Sequence, residues 1–346
     1  MEPRKVQKVG YSTLSISLPM NWAKKMGIRK GDIVFLSEEK NGTLRLTVKP
    51  SKAGESELYI VNVDECENSK ILARVIVANY VLGRGMIRVQ SSKRLMREQI
   101  ESIRGVTQRL LGIGIIEESD QHLLLQSSID PKDFSPLTVL RRLYVLTSIM
   151  LKEVVDSLAE GDVELSKDAI TREHEADMIY WLLARLLSSA QQSAVVAEDL
   201  GIRDPMQIIY INIIAWFLEM IGDRVQSIAN SIINFNQLRE RREDELLDRL
   251  SQLGLITFTM FDKAVNSIFN GNLKIASDAI DLKETMEREE RNLLKEFQGK
   301  LDTESVVFFS SILWELRIIA EHSAAIAEIA IDNILKGDTN ICRAAS

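Results

Sequence analysis

Residues 216–229, WFLEMIGDRVQSIA, and residues 314–327, WELRIIAEHSAAIA, set over one another with Trp, Leu, Ile and a closing Ile-Ala in common. Upstream of each lies a second matching pair. GDVELSKDAITREHEAD from Gly161 falls on GNLKIASDAIDLKETME from Gly271, glycine on glycine and DAI (168–170) on DAI (278–280). Two blocks recurring in the same order mark an internal duplication. Apolar residues recur with the 3.6-residue period over 136–159, 162–193, 204–236, 243–270, 272–298 and 303–336. Six helices in two copies of three, joined by short loops, predict an all-α bundle with a shared apolar seam. Its first repeat is expected over 135–236 and its second over 242–338.

The stretch around 216–229 carries a charge problem. No ionisable residue other than Tyr210 occurs between Ile208 and Leu218, and then Glu219 and Asp223 arrive four apart on one helical face. Like charges at that spacing repel, and a carboxylate drawn toward a core is costly unless paired. Spacing alone proves little. With 50 acids in 346 residues, such pairs arise by chance on the order of seven times. Position says more, because Glu173 and Asp177 form a second pair on the preceding helix of the same repeat, able to face the same gap. Oxygen ligands in a cluster suit a hard divalent or iron-type cation. The alternative is a polar groove with Arg185 or Arg224 as the ionic partner. In the second repeat Lys283 stands opposite Glu173 and Arg317 opposite Glu219, with Glu287 and Glu321 retained. A base four residues from an acid neutralises it, so a metal site is expected in the first repeat alone. His174 and His322 each follow an acid directly and are expected at the surface. Trp216 and Trp314 are expected in the core.

The amino-terminal fifty residues have another character. They hold ten Lys/Arg against four Asp/Glu, leaving 33 against 46 in the rest of a chain whose net charge is -7. A basic module of this kind suits a polyanion that the acidic remainder would repel. TLSISLP (13–19) alternates as a strand ended by Pro19, MNWAKKMG (20–27) reads as a short helix stopped by Gly27, and RKGD (29–32) turns into a second hairpin through Asn41-Gly42. So short a β-rich unit seldom buries a core of its own, and a dimer sharing one is the expected remedy.

RKVQKVGYSTLSISLPMNWAKKMGIRKGDIVFL (4–36), with SLP, MGI and KGD in order, resembles the AbrB/SpoVT swapped-hairpin barrel over about 45 residues. The resemblance implies an intertwined homodimer over residues 1–50 that contacts DNA through Arg4, Lys5 and Lys8, with Lys24 and Lys25 as further candidates. Some such barrels serve for dimerisation alone. LEMIGDRVQSIA (218–229) is in turn similar to the signature of PhoU proteins, and the doubled three-helix layout matches their fold. An AbrB-like module followed by a PhoU-like one resembles a group of archaeal phosphate-uptake regulators. What this implies is a DNA-binding regulator whose bundle senses or relays phosphate status. Its ExxxD pairs would bind metal at Glu173, Asp177, Glu219 and Asp223. The alternative is an adaptor that regulates a phosphate transporter ATPase or a histidine kinase, the barrel only dimerising.

Between the two ends, residues 57–130 read as a small α+β domain: strands at ELYIVNV (57–63), MIRVQ (86–90), GIIE (114–117) and HLLLQ (122–126), with helices over 67–82 and 93–111. Arg84, Arg88, Lys93, Arg94 and Arg97 lie close in sequence, but with Glu98 and Glu101 they read as a charged helix face. The totals add limits. Cys66 and Cys342 are the only cysteines and lie outside any CxxC, which favours a reducing, cytoplasmic setting. Neither a signal peptide nor a transmembrane segment is expected. None of the three histidines has Glu three residues before it, and no Gly-x-Ser-x-Gly or His-Glu-x-x-His occurs. A regulator without organic cofactor is expected rather than an enzyme.

Overall fold

The computed structural model describes residues 3–38, 42–47, 57–236, 244–297, 301–337 and 339–343. It divides into two compact units, Met1–Ser56 and Glu57–Ser346.

The first unit is β-rich. Strands β1 (Gln7–Val9) and β2 (Thr13–Ser15) form one antiparallel hairpin, the six-residue helix α1 (Met20–Lys25) follows Pro19, and β3 (Phe35–Glu38) pairs with β4 (Leu44–Thr47) in a second hairpin. Gly27, at φ +67°, ends the helix in the left-handed region where a side chain would strain the backbone. Asn41 of the expected turn lies outside the described residues. Two hairpins of three or four residues a strand do not close a barrel, and no described side chain in this unit is buried: Val6, Tyr11, Leu14, Ile16, Ile33 and Leu36 are each more than half exposed. Among its described residues this unit therefore shows no core within one chain.

The second unit opens with β5 (Leu58–Asn62), α2 (Ser69–Val81), β6 (Met86–Gln90), α3 (Arg97–Gln108), β7 (Ile113–Glu118) and β8 (His122–Ser127). The sheet order is β5-β6-β8-β7, with β5 parallel to β6 and the other pairs antiparallel. Alternation makes one sheet face apolar, so Val61, Ile87, Val89, Leu123 and Leu125 meet Leu72, Ile76 and Ile103 of the helices in one core. Asn68 starts α2 by accepting from Ile71 N at 3.0 Å.

Then come α4 (Pro136–Glu160), α5 (Val163–Gln192), the short α6 (Ala194–Asp199), α7 (Pro205–Asn236), α8 (Asp244–Asn270), α9 (Leu273–Phe297) and α10 (Thr303–Leu335). Helices α4, α5 and α7 pack on one another, as do α8, α9 and α10, while α4 meets α8 and α7 meets α10 across the two triplets. The duplicated Gly-Asp and Gly-Asn have a shared job. Gly161 (φ +71°) and Gly271 (φ +59°) end one helix in the left-handed region. The next residue then starts another, Asp162 Oδ1 accepting from Glu164 N at 2.9 Å and Asn272 Oδ1 from Ile275 N at 3.2 Å. Between triplets α8 approaches α4 so closely that a Cβ on Gly254 would stand 2.8 Å from a Val155 methyl.

Arg185 of α5 joins the sheet segment to the bundle. Buried and over the Tyr80 ring, its Nη1 donates to Tyr80 O (2.6 Å) and Arg84 O (3.1 Å), and its Nη2 to Gly83 O (3.2 Å), carbonyls at and just past the end of α2, where the helix dipole favours a cation.

Candidate functional site

Helix α7 must hold its acids against its own apolarity. Leu218, Ile221, Val225 and Ile228 are fully buried, and each such side chain contributes about 1.5–3 kcal/mol. That sum exceeds what a half-buried carboxylate costs, so the helix packs and the acids stay on its rim. Glu219 and Asp223 stand on the side turned to α5, whose Glu173 and Asp177 are the facing pair.

All four belong to one electrostatic group. Burial and then the charge of Asp223, with Asp177 and Glu173 beyond, push Glu219 up from 4.5 to about 7. Burial, then Asp177, raises Glu173, and burial, then Asp223, raises Asp177. The Tyr180 hydroxyl on α5 is raised by burial and by the same acids. Glu173 is the most enclosed at 6% exposure; its Oε2 accepts from Gln226 Nε2 at 2.6 Å and lies 3.0 Å from His174 Nδ1. Among the described residues no Lys or Arg forms an ion pair with Asp177, Glu219 or Asp223. The ionic partners considered from sequence are engaged elsewhere, Arg185 on the carbonyls after α2 and Arg224 with Glu315 of α10 at 3.2 Å. Sequence reading missed Gln226, and it missed Arg109, which follows α3 and exerts a weaker attraction on Glu173 and Asp177. Only the fold brings residue 109 to that face.

The second triplet supplies its own counter-charges. Arg317 Nε lies 3.2 Å from Glu321 and its Nη1 3.8 Å from the buried Glu290, while Glu287 is paired with Arg291 at 3.9 Å. Lys283 is not the base that serves Glu287. Four carboxylates are hard donors and carry the charge a divalent cation answers, yet among the described residues no three His, Cys, Asp or Glu are grouped closely enough to hold one ion. Charge and donor type fit a metal; the present grouping is not a finished chelate.

Other expectations change. Trp216 and Trp314 are 47% and 57% exposed, not core, because each lies on the side of its helix opposite the buried row. His174 is exposed as expected, but His322 is half buried against the Phe217 ring, with Nε2 unpartnered and its pKa lowered by burial and by Arg224. Arg4, Lys5 and Lys8 lie on or just before β1, and Lys24 and Lys25 form the last turn of α1, all exposed. Arg97 pairs with Glu101 at 2.7 Å, whereas Arg84 lies over the Tyr59 ring. Helix α7 is long and apolar enough to cross a membrane, by length and composition alone. In the fold its apolar side is turned to α4, α5 and α10.

The chain thus presents a duplicated three-helix bundle in which, among the described residues, the first copy gathers four mutually repelling acids and the second pairs its acids with arginines. The PhoU domain model matches residues 140–232 and 250–330, half of the chain, and the chain belongs to that family. At the other end, residues 7–55 match the model described as "Antidote-toxin recognition MazE, bacterial antitoxin", a MazE/AbrB-like domain. Among solved structures, PhoU from Pseudomonas aeruginosa is 19% identical, covering 57% of this chain and 93% of its own at a TM-score of 0.49. The phosphate transport system regulatory protein PhoU from Streptococcus pneumoniae is 18% identical, covering 57% and 91% at 0.47. No curated protein matches the chain.

The raised Glu219 gives a signed prediction. A carboxyl whose folded pKa exceeds its unfolded value stabilises the fold below the unfolded pKa and loses that contribution as pH rises through the folded one, here from 4.5 to about 7. Glu219→Gln removes the loss. It should raise stability by about 1–2 kcal/mol at pH 8, discounted for partial exposure, with little change at pH 5. Chemical unfolding at the two pH values reads this out, and equal effects at both would refute it.

Proposed function

We propose that this chain regulates phosphate uptake: the amino-terminal module dimerises and contacts DNA, and the PhoU bundle senses or relays phosphate status. What supports the reading is one chain carrying a MazE/AbrB-like unit rich in exposed basic residues and a duplicated PhoU bundle with a cluster of four acids. The charge separation keeps the polyanion at one end. Arg4, Lys5, Lys8, Lys24 and Lys25 are the proposed phosphate contacts, and the exposed apolar residues of that unit are the surface a second copy would cover. The role is regulatory rather than catalytic, and the setting is the cytoplasm. A second reading, an adaptor acting on a phosphate transporter or a sensor kinase without DNA, is favoured by the description of the Streptococcus pneumoniae relative as a regulator of the phosphate transport system.

We also propose that a hard cation supplies the charge missing beside Glu173, Asp177, Glu219 and Asp223, which requires these side chains to gather more closely. Bound there it would lower the mutual repulsion and pull the four carboxyls to their ionised forms.

Duplex DNA titrated at 50 and 200 mM salt separates the two readings. Phosphate contacts by a dimer predict a loss of affinity on the order of a thousandfold, and Lys5→Ala/Lys8→Ala should reduce the salt slope; failure to bind at 50 mM leaves the adaptor. Elemental analysis of the purified protein beside Glu219→Ala/Asp223→Ala tests the cation. The wild type should retain metal that the variant lacks, and equal content in both would end the idea.

A further inference from the structure

Trp216 and Trp314 occupy matching positions in the duplicated sequence, and both are exposed. Their partners one heptad back match as well: Ile209 is 49% exposed on α7 and Val307 is 63% exposed on α10. Residues seven apart share a helical face. On α7 that face lies opposite the buried row of Ile211, Ile214, Leu218, Ile221 and Val225. Each triplet therefore carries the same two-residue apolar stripe on its outer side, kept through a duplication in which the neighbouring charges changed.

The helix pair fixes how the stripes face one another. Phe235 stacks on Phe308 with centroids 3.9 Å apart, Arg224 meets Glu315, Phe217 meets His322 at 5.2 Å, and Asp204 pairs with Lys336, so α7 and α10 run antiparallel. In that register Glu219, Asp223, Arg317 and Glu321 fall between the two tryptophans. At 1.5 Å per residue the rings are roughly 14 Å apart along the axis, with 8–10 Å between the helices. A charged centre is flanked by two aromatic anchors.

The charge of that centre selects the occupant. Arg317 is already paired with Glu321 and Glu290, whereas neither Glu219 nor Asp223 forms an ion pair with a Lys or Arg among the described residues. The balance is negative. A nucleic acid or an anionic bilayer is repelled, and a second copy laid face to face sets like charges opposite each other. A cationic protein segment is attracted. Exposed tryptophans beside a centre of net negative charge are the makings of interface hot spots.

We infer that the outer face of α7 and α10 docks a basic amphipathic helix of a partner protein, whose two apolar side chains, three turns apart, pack on Trp216 and Trp314. Lysines or arginines between them answer Glu219 and Asp223. Anchors at i and i+11 span roughly 16 Å, which matches the separation of the rings. This deepens the relay reading by giving the bundle a surface for its protein partner, and it is independent of the DNA contact proposed above.

The probe is a synthetic helical peptide with Leu at i and i+11 and Lys at the facing positions between, titrated against the full chain by tryptophan fluorescence and calorimetry. A counterpart with Glu for Lys is the charge control. The basic peptide should bind with a Kd in the micromolar range, and the Glu counterpart at least tenfold more weakly. Trp216→Ala/Trp314→Ala should lose at least tenfold. Trp216→Phe/Trp314→Phe, which keeps an aromatic ring under any packing role, should keep most of the affinity. Thermal unfolding verifies that each variant is folded. No binding by the wild type, equal binding of the two peptides, or undiminished binding by the alanine pair would overturn the inference. Because the salt-dependent DNA titration concerns other residues, either result can fail while the other stands.

Discussion

The antiparallel packing of α7 against α10 governs the rest of the bundle. Leu218, Ile221, Val225 and Ile228 on one helix and Ile312, Leu316, Ile319 and Ile326 on the other are fully buried. With about 1.5–3 kcal/mol attached to each such side chain, the orientation of both helices is settled before any charge is considered. Orientation then assigns every other residue. The side facing α5 receives Glu219, the side facing α10 receives Arg224, and the outward side receives Trp216, with Asp223 one heptad on at the edge between the outward side and α5.

From this follows the asymmetry between the copies. The second triplet carries Arg317 and Arg291 among Glu287, Glu290 and Glu321, so its groove is neutralised by its own side chains. In the first, Glu173, Asp177, Glu219 and Asp223 have among the described residues only Gln226, His174 and the more distant Arg109 to relieve them. A duplicated scaffold has kept its backbone devices, the left-handed glycine and the Asx cap at residues 161–162 and 271–272, while one face changed in charge. Compensation in the first copy has to come from protons, from an ion, or from a partner's basic groups. These answers are not mutually exclusive in physics, since each lowers the same repulsion.

Much of this was legible in the sequence. The six helices and the duplication followed from apolar periodicity, which reports burial directly, and the four acids were picked out because two pairs fell on neighbouring helices. Side-chain partners were less legible. Arg185 looked like a counter-ion for the acids, yet it lies two turns past Asp177 and meets the end of α2, a contact about a hundred residues distant in sequence. Trp216 and Trp314 looked like core because size was read without phase. Their place in the 3.6-residue cycle, opposite Leu218 and Leu316, already put them outside. Arg109 could not be found from sequence at all, because only the docking of the α+β segment on α5 brings it near.

The claim on which the rest turns is that the acids of the first copy repel one another without a built-in cation. A carboxyl carbon-13 titration of the full chain, free of added metal, measures this directly. One glutamate should titrate near pH 7, with its signal absent in Glu219→Gln. If every carboxyl titrates below about pH 5, as unperturbed Asp and Glu do, the four acids are already compensated and the account is contradicted.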